Sequence, residues 1–294
     1  MDRPAEGKAL VSIRSVLFPT DLSPESDRAF DHARFLAQRF EACLTFFHAV
    51  QIPDHRFAHW AFAHDHEIWA RAEKHARECL ERRAETLSVS HRVVVERKVS
   101  VAGALLDLIR SLQPDLTVLA THGREGLSHL LLGSVAEKVV QHSFRPALCV
   151  REPSHGCALP YRRILVPTDL SLASRLAFPM AALLARAFGA EVLAVHVVPS
   201  PSLATLSGIP PVEDQSLPTE SAVWSFFQPD FPGLDVTAQV HTGTVWHRIV
   251  QVAEVEKADL IVMSTRGHDS LADRVVGSNT ERVVRHAPCP VLVA

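Results

Sequence analysis

The sequence lacks the features that mark several common functional classes. Its 30 lysine and arginine residues are balanced by 33 aspartate and glutamate residues, a formal net charge of −3. Nucleic-acid-binding domains carry a basic excess or a basic stripe, so we expect no nucleic-acid partner. The five cysteines show neither a CxxC pair nor a regular spacing. A scattered, odd set predicts reduced thiols rather than a disulfide framework.

Long hydrophobic runs are also missing. The N-terminal stretch MDRPAEGKALVSIRS has no apolar segment of the kind that a secretory signal peptide needs. No run approaches the ~18 apolar residues of a membrane-spanning helix. We therefore expect a cytoplasmic protein without a membrane partner. The chain has 294 residues, of which 47% are hydrophobic and 21% charged, which is typical of a globular protein with two domains.

What the chain does have is an internal repeat. Residues 14–50, RSVLFPTDLSPESDRAFDHARFLAQRFEACLTFFHAV, align without a gap with residues 162–198, an offset of 148. Near the end of each half, GREGLSHLLLGSVAEKVV and GHDSLADRVVGSNTERVV align at an offset of 144. Two collinear blocks indicate a tandem duplication. We expect domains over 1–151 and 161–294, with a linker over 152–160.

Strands and helices alternate within each half. Val16–Phe18 predicts a buried strand, and residues 24–40 predict a helix with Ser23 as its N-cap and Pro24 at its first position. The alternation predicts an α/β fold of two tandem doubly wound, mostly parallel five-stranded sheets with flanking helices. Ligands of such sheets bind at the carboxyl ends of the strands.

The second half departs from the first in one segment. A long charged helix is predicted over 66–87, whereas residues 199–233 contain too many prolines for a long helix. We expect a loop there, with at most a short helix around Glu220–Phe227. The last strands of the two halves, ALCV and VLVA, are expected to pair with each other as an internal pseudo-dimer, with homodimerisation through the same faces as a further option.

A glycine-punctuated loop follows the strand Leu116–Leu119. Gly123 comes just after that strand, and Gly133 with Ser134 opens the next helix. Free amides at a helix N-terminus bind anions, and a glycine lets the anion approach closely. Amides of both glycines could wrap one polyphosphate if the loop folds back. The second half repeats the arrangement with Gly267, Gly277 and Ser278.

Both helix starts also carry a capping pattern. Ser134 is followed by Glu137 at the third position, and Ser278 by Glu281. This spacing predicts two capping boxes, in which the serine accepts from the third amide and the glutamate reaches back to the cap. A good helix cap alone would explain the pattern, and the preceding glycine is what favours a ligand.

Two familiar phosphate-binding motifs are absent from the sequence. Neither GxxxxGK[ST] nor a GxGxxG after a strand occurs, and no lysine lies between Gly123 and Gly133. A site without that charge favours binding over phosphoryl transfer. We therefore expect no catalytic residues.

One aspartate recurs at a strand end in each half. Asp21 and Asp169 both lie in a PTDLS segment directly after a predicted strand. A carboxylate at the carboxyl edge of the sheet could accept hydrogen bonds from ribose hydroxyls or from the edge of adenine. A turn or capping role is the alternative for either copy alone, and the repetition favours function.

These motifs together resemble the universal stress protein family. The PTD strand end, the H-[AV]-V strand end and the Gly-x9-Gly-Ser loop occur twice, so that the resemblance covers nearly the whole chain. It implies a universal stress protein-like fold, related to the adenine nucleotide alpha hydrolases. In nucleotide-binding members the loop reads Gly-x2-Gly-x9-Gly-[Ser/Thr], and here Ala120 and Ser264 replace its first glycine.

The resemblance implies ATP, ADP or AMP as ligand, optionally with Mg²⁺. The aspartates would hold adenosine, the backbone at Ala49 and Val197 would lie beside adenine, and Leu119 and Met263 would pack near base or ribose. The loop residues would bind phosphates. The implied site in the first half comprises Pro19, Thr20, Asp21, Ala49, Leu119, Ala120, Gly123, Gly133, Ser134 and Val135. That in the second comprises Pro167, Thr168, Asp169, Val197, Met263, Gly267, Gly277, Ser278 and Asn279.

Loop charge distinguishes the two halves. Along the first loop three basic or imidazole side chains accompany one acid, whereas the second loop has three with two acids. Carboxylates near a polyphosphate are unfavourable, so we predict that the first half binds ATP better. The residues are His122, Arg124 and His129 with Glu125, and Arg266, His268 and Arg274 with Asp269 and Asp273.

Other clusters favour ordinary roles. The histidines near residues 48–66 show no fixed ligand spacing, so we expect no metal site. Cys289 lacks a neighbouring base, and Trp224, Phe226 and Phe227 suit loop packing or, as an alternative, a lid over the second site. Aromatic side chains at Trp60, Phe62 and Trp69 are expected in the core or on a face that packs against a partner helix, rather than in a ligand site. The histidines are His48, His55, His59, His64 and His66.

The predicted function is that of a stress-response protein which senses an adenine nucleotide without efficient turnover and responds by shifting a surface for an unknown protein partner. Three alternatives remain. One is a nucleotide-free stress adaptor, if Ala120 and Ser264 have closed both sites. Another is a weak ATPase or autokinase, with Mg²⁺ on Asp21 and a hydroxyl acceptor near Ser134. The third is an adenylate-handling enzyme of similar topology, which would need a basic or nucleophilic group at the phosphates.

Overall fold

A computed structural model describes residues 11–53, 62–121, 132–151, 159–199, 218–265 and 277–294. The first half contains β1 (Ser15–Pro19), α1 (Pro24–Arg39), β2 (Cys43–Gln51), α2 (Phe62–Ala84), β3 (His91–Lys98), α3 (Val101–Leu112), β4 (Leu116–Ala120), α4 (Ser134–His142) and β5 (Ala147–Val150).

The second half repeats this order with a shorter second helix. A short 3-10 helix (Ser174–Ala177) leads into its first α-helix. The elements are β6 (Arg163–Thr168), α5 (Phe178–Phe188), β7 (Glu191–Pro199), α6 (Glu220–Phe227), β8 (Val236–Gly243), α7 (Val245–Val255), β9 (Leu260–Met263), α8 (Ser278–His286) and β10 (Val291–Val293).

The ten strands found in the described residues join one sheet in the order β3-β2-β1-β4-β5-β10-β9-β6-β7-β8. Each half contributes five parallel strands, and the halves meet where β5 and β10 pair antiparallel, with Leu148 opposite Leu292. The predicted fold class and the predicted pairing of the last strands are confirmed. Because β5 and β10 cover each other, neither is left as an open sheet edge.

Helices cover both faces of the sheet, so most strands are buried on both sides. Successive residues of β1 point to opposite faces: Val16 and Phe18 join the core under α1, whereas Leu17 joins the core under α3 and α4. Burial on both faces explains why the strands read as continuous apolar runs. Among the described helices, none is both long and apolar enough to cross a bilayer.

Helix α1 begins as predicted. Ser23 is its N-cap and accepts a hydrogen bond from the Ser26 amide at 3.3 Å, and Pro24 occupies the first turn. Its apolar face is fully buried, and the Phe30 ring lies 5.6 Å from that of Phe18 and 5.7 Å from that of Phe46. This packing fixes the start of α1 against the end of β1.

The short helix predicted in the second half is confirmed as α6. The Phe227 ring lies 4.2 Å from the Phe178 ring, and Phe227 is fully buried. The lid interpretation of this segment is therefore wrong for Phe227, because its side chain belongs to the core under α5. Trp224, by contrast, is 47% exposed. On α2, Trp69 packs partly buried against the core as expected, whereas Trp60 and the Phe62 side chain lie outside the described part.

Candidate functional site

The carboxyl ends of β1 and β4 lie side by side in the first half, and those of β6 and β9 in the second. From β1 the chain continues to its neighbour on one side, β2, whereas from β4 it continues to its neighbour on the other side, β5. The connections that leave β1 and β4 therefore lie on opposite faces of the sheet. A crevice forms at such a reversal of strand order and is the usual ligand site of open α/β sheets. The predicted residues after β1 and β4, and those after β6 and β9, therefore lie at this reversal of strand order in each half.

Hydroxyl groups hold the turn after β1. The Thr20 Oγ1 atom lies 2.8 Å from Ser26 Oγ and accepts from the Leu22 amide at 3.0 Å. The second half repeats this turn around Thr168, with distances of 2.8 Å and 2.9 Å. Leu22 has a φ of 63°, a left-handed conformation that is uncommon for leucine. The hydroxyl contacts stabilise the turn although its backbone conformation is unfavourable for Leu22.

The two aspartates predicted as adenosine ligands are oriented by the serine two residues on. Asp21 Oδ1 accepts from the Ser23 amide at 3.0 Å and from Ser23 Oγ at 2.6 Å. Asp169 Oδ1 makes the same contacts with Ser171, at 3.0 Å and 2.5 Å. Both carboxylates are half-buried. The geometry gives each strand end a fixed acceptor group, repeated to within 0.1 Å between the halves.

A histidine on the neighbouring strand braces each turn. His48 Nδ1 donates to the Thr20 carbonyl at 2.8 Å, and His196 Nδ1 donates to the Thr168 carbonyl at 2.9 Å. Both histidines belong to the repeated H-[AV]-V strand end, for which the sequence predicted no role in the nucleotide site. Their presence in both copies at the end of a strand was the available signal for a role beside the aspartates.

A backbone hydrogen bond joins the two ends of each glycine-punctuated loop. The Gly133 amide donates to the Thr121 carbonyl at 2.7 Å, and the Gly277 amide to the Thr265 carbonyl at 2.9 Å. These bonds hold the start of α4 and α8 beside the ends of β4 and β9. Gly123, Gly267 and the charged loop residues on which the predicted difference in affinity depends lie outside the described part.

The capping boxes predicted at both helix starts are wrong. Gly133 is the N-cap of α4, because its φ and ψ of −59° and 143° are not helical and its carbonyl accepts from the Glu137 amide at 2.9 Å. Ser134 is the first helical residue. The Glu137 carboxylate accepts from Gln141 at 3.4 Å instead of turning back to the cap. In α8 Gly277 is likewise the N-cap, Ser278 follows it, and Glu281 pairs with Arg285 at 2.7 Å.

A glycine N-cap has no side chain to accept from the amides of the first turn. Those amides carry the positive end of the helix dipole, and the exposed hydroxyls of Ser134 and Ser278 lie next to them. A Cβ added at Gly277 would lie 3.7 Å from the Thr265 carbonyl oxygen, an ordinary contact. Among the described residues, neither the backbone conformation nor the packing requires glycine there.

The halves differ where the family's first loop glycine is replaced. In the second half Thr280 Oγ1 donates to the Ser264 carbonyl at 3.1 Å, and both residues are buried. At the equivalent positions of the first half stand Ala136 and Ala120, which have no hydroxyl. No local sequence pattern marks Thr280, because its partner lies 16 residues away along the chain.

The remaining predicted residues lie at the strand ends or, for Val135 and Asn279, in the first turns of α4 and α8. Leu119 and Met263 are 3% and 6% exposed and belong to the core, and Val197 is 6% exposed. Their roles, like those of Ala49, Pro19, Pro167, Val135 and Asn279, stay predictions.

Metal and thiol chemistry find little support in the described residues. Within them no group of three or more histidine, cysteine or acidic side chains could hold a metal ion. Most of the histidine-rich segment, including His55 and His59, lies outside them. Cys289 is fully buried, and burial raises the pKa of the Cys149 thiol to about 12. Neither thiol is set up as a nucleophile.

The sequence model of the universal stress protein family matches residues 12–151 and again residues 160–294. The chain belongs to the universal stress protein family. It is similar over 95% of its length to a universal stress protein of Mycolicibacterium smegmatis, with 27% identity over 299 residues and 96% of that protein covered.

Two further relatives extend the comparison. A universal stress protein of Methanocaldococcus jannaschii is 33% identical over 149 residues, which are 45% of this chain and 81% of that protein. The crystal structure of a universal stress protein from Archaeoglobus fulgidus superposes with a TM-score of 0.69 at 20% identity, covering 96% of this chain and 98% of the other. That structure supports the fold of both halves.

Proposed function

We propose that this universal stress protein binds an adenine nucleotide, ATP, ADP or AMP, in the crevice of its first half and signals its presence to a protein partner. One observation carries the proposal: an oriented carboxylate, Asp21, and a helix start without a side-chain cap, Gly133, flank the same reversal of strand order. The first group suits ribose or adenine and the second suits phosphate.

The residues divide the nucleotide between them. Asp21, fixed by Ser23, accepts from ribose hydroxyls at one end of the crevice. The amides and hydroxyl at Gly133-Ser134 donate to phosphate oxygens at the other. Mg²⁺, where present, would lie on the phosphates, which supply oxygen ligands of the kind it prefers. No lysine lies in the loop sequence, so binding without efficient turnover is the expected outcome.

The second half has the same carboxylate and the same helix start, with a difference at the strand end. There the Ser264 carbonyl already accepts from Thr280, and the first loop glycine of nucleotide-binding relatives is replaced by a serine, larger than the Ala120 that replaces it in the first half. We propose that this half binds nucleotide more weakly and serves mainly to complete the sheet.

Calorimetric titration with ATP and Mg²⁺ tests the proposal. Asp21→Ala should weaken binding about tenfold or more, because hydrogen bonds to a charged group contribute about 1.5–3 kcal/mol. Asp169→Ala is the matched control in the other half and should change the affinity less than about threefold. A native protein without any heat of binding would support the nucleotide-free adaptor instead. Equal losses in both variants would contradict the assignment to the first half.

A further inference from the structure

A small hollow lies between the C-terminal half of α3 and the turn that joins α4 to β5. That turn precedes β5, so the hollow is at the edge of the sheet opposite the predicted nucleotide sites, and it shares no residue with them. Its volume of about 160 Å³ is close to the ~150 Å³ of an engineered protein cavity that binds benzene. All its lining residues belong to the described part of the first half. The hollow has room for one aromatic ring.

Three of the lining side chains are apolar. Ile109 is 2% exposed, and Leu106 is half-buried one turn earlier on the same face of α3. Phe144, in the turn before β5, is 66% exposed. An exposed phenylalanine beside a hollow of this size is in position to pack against a ring that enters it.

The charged lining residues are paired within the chain. Arg110 pairs with Asp107 at 2.9 Å, and Arg145 pairs with Asp115 at 3.3 Å. Arg145 also donates to two backbone carbonyls, each at 2.8 Å. Because neither sign of charge is in surplus among these groups, the hollow suits an uncharged ligand better than an anion or a cation.

Polar groups that suit a hydroxyl stand at the rim. The side chains of Gln113 and His142 both line the hollow, and both residues are exposed. An amide and an imidazole can each form a hydrogen bond with a hydroxyl group. A phenol could therefore place its ring on the apolar side chains and its hydroxyl at the rim.

The second half shows an aromatic ring against the equivalent histidine. His286 corresponds to His142 at the offset of 144, and the Trp246 ring lies 5.0 Å from the His286 ring. In the first half Ala102 stands at the position of Trp246, so the chain supplies no ring there. An imidazole at this place in the fold thus accepts an aromatic neighbour, which in the first half would have to come from a ligand.

The repeated fold does not require the side chains that form the hollow. At the positions equivalent to Ile109, Arg110 and Phe144 the second half has alanine, glutamate and proline. An exposed phenylalanine costs solubility and contributes little to packing, so its presence in the first half indicates a role in binding.

We propose that this hollow binds a small uncharged aromatic compound of the phenol class. The ring would lie against Leu106, Ile109 and Phe144, and the hydroxyl would pair with His142 or Gln113. The site is independent of nucleotide binding, because it lies at the other edge of the sheet.

A nitrogen-15 NMR titration with phenol tests the proposal residue by residue. Backbone amide signals of residues 106–113 and 142–145 should shift saturably, with a dissociation constant in the millimolar range because so small a ligand makes few contacts. Benzoate and benzylammonium carry a charge on the same ring and should each bind about fivefold or more weakly than phenol.

Two variants with matched controls locate the ligand. Leu106→Trp fills part of the hollow and should abolish the saturable shifts, whereas Val250→Trp makes the same change at the equivalent position of α7 and should leave the affinity for phenol within about twofold. Phe144→Ala removes the exposed ring and should weaken phenol binding about threefold or more. Leu176→Ala truncates another exposed side chain, in the second half, and should have no effect.

Phe144 is exposed, so its substitution leaves the fold intact and remains decisive even if Leu106→Trp does not fold. The proposal is overturned if the native protein gives no saturable shift at these residues, if Phe144→Ala or folded Leu106→Trp binds phenol as the native protein does, or if either charged analogue binds as tightly as phenol.

Discussion

Asp27 and Arg175 occupy equivalent positions of the two halves, 148 residues apart, and carry opposite charges. Asp27 on α1 pairs with Arg83 on α2 at 2.5 Å. Arg175 pairs with Asp230, which follows α6. The acidic and the basic member of the ion pair have thus changed places between the two halves. The pair thus ties the first helix of each half to the segment in which the two halves differ most.

The two ion pairs should differ in their contribution to stability. The Asp230 side chain is only 8% exposed, whereas that of Asp27 is 54% exposed. Arg175→Ala withdraws hydrogen bonds from a buried carboxylate and should lower the free energy of unfolding by about 2 kcal/mol. Asp27→Ala should lower it by less than about 1 kcal/mol. Urea unfolding measures both, and equal losses would contradict this ranking.

Stability should fall in mild acid because of His32. Burial holds its pKa at about 4, below the ordinary 6.5. Between those values the unfolded chain binds a proton that the folded protein does not, so His32 contributes fully above about pH 6.5 and less as the pH falls. Between pH 7 and pH 5 we expect this group to account for about 2 kcal/mol.

The measurement compares the native protein with His32→Gln. The variant should show a smaller difference in unfolding free energy between the two pH values. If both proteins lose the same amount, the acid sensitivity arises from other groups and this assignment is wrong.

Ser23 should affect both the fold and the site. It caps α1 and orients Asp21, so Ser23→Ala should lower the free energy of unfolding by about 1 kcal/mol and weaken ATP binding as well. Ser171→Ala removes the same contacts from Asp169 and Ser174 in the second half and is the matched control. A similar loss of stability in both variants, with weaker ATP binding only for Ser23→Ala, is the expected outcome. Unchanged ATP affinity in Ser23→Ala would show that Asp21 needs no orientation.

Substitution of the two glycine N-caps should change the affinity for ATP unequally. Gly133→Val places a branched side chain beside the uncapped amides of α4 and should weaken ATP binding about tenfold or more. Gly277→Val does the same at α8, where we expect weak binding from the outset and hence a small change. Titration of both variants measures the difference. Equal losses would show that the two crevices bind alike.

Cleavage of the linker should leave the halves together. The pairing of β5 with β10, the contact of Tyr161 with His32 and the bonds from Arg39 to the Ala187 carbonyl all cross between them. After proteolysis within 152–160, light scattering should still report the mass of the intact chain, 32.4 kDa. Separation at low concentration would contradict the internal pairing.

The architecture could be predicted from the sequence because it rests on local patterns that occur twice. Strand, helix and turn signals around Pro19 and Pro167 agree with each other, and the short helix Glu220–Phe227 follows from its proline-rich surroundings. Because each of these patterns occurs in both halves, it predicts the structure more reliably than one copy would.

Contacts between distant residues could not be predicted in the same way. The Asp27–Arg83 pair and the bond from Thr280 to the Ser264 carbonyl join positions that only the folded chain brings together. The capping error has a different cause: a serine followed by a glutamate looks like a cap, but Gly133 takes the non-helical backbone conformation first. The hydrogen bond from the Gly133 amide to the Thr121 carbonyl fixes where the loop ends and the helix begins. No local sequence pattern predicts this bond.

The most direct test of the central claim is the nucleotide content of the protein as purified. Denatured protein should release an adenine nucleotide on ion-pair chromatography, at about one per chain for native protein and for Gly277→Val, and at a small fraction of that for Gly133→Val. That result would place the nucleotide in the first crevice. If no nucleotide is released, and calorimetry with ATP and Mg²⁺ also gives no heat, the claim is contradicted and the chain is a nucleotide-free member of its family.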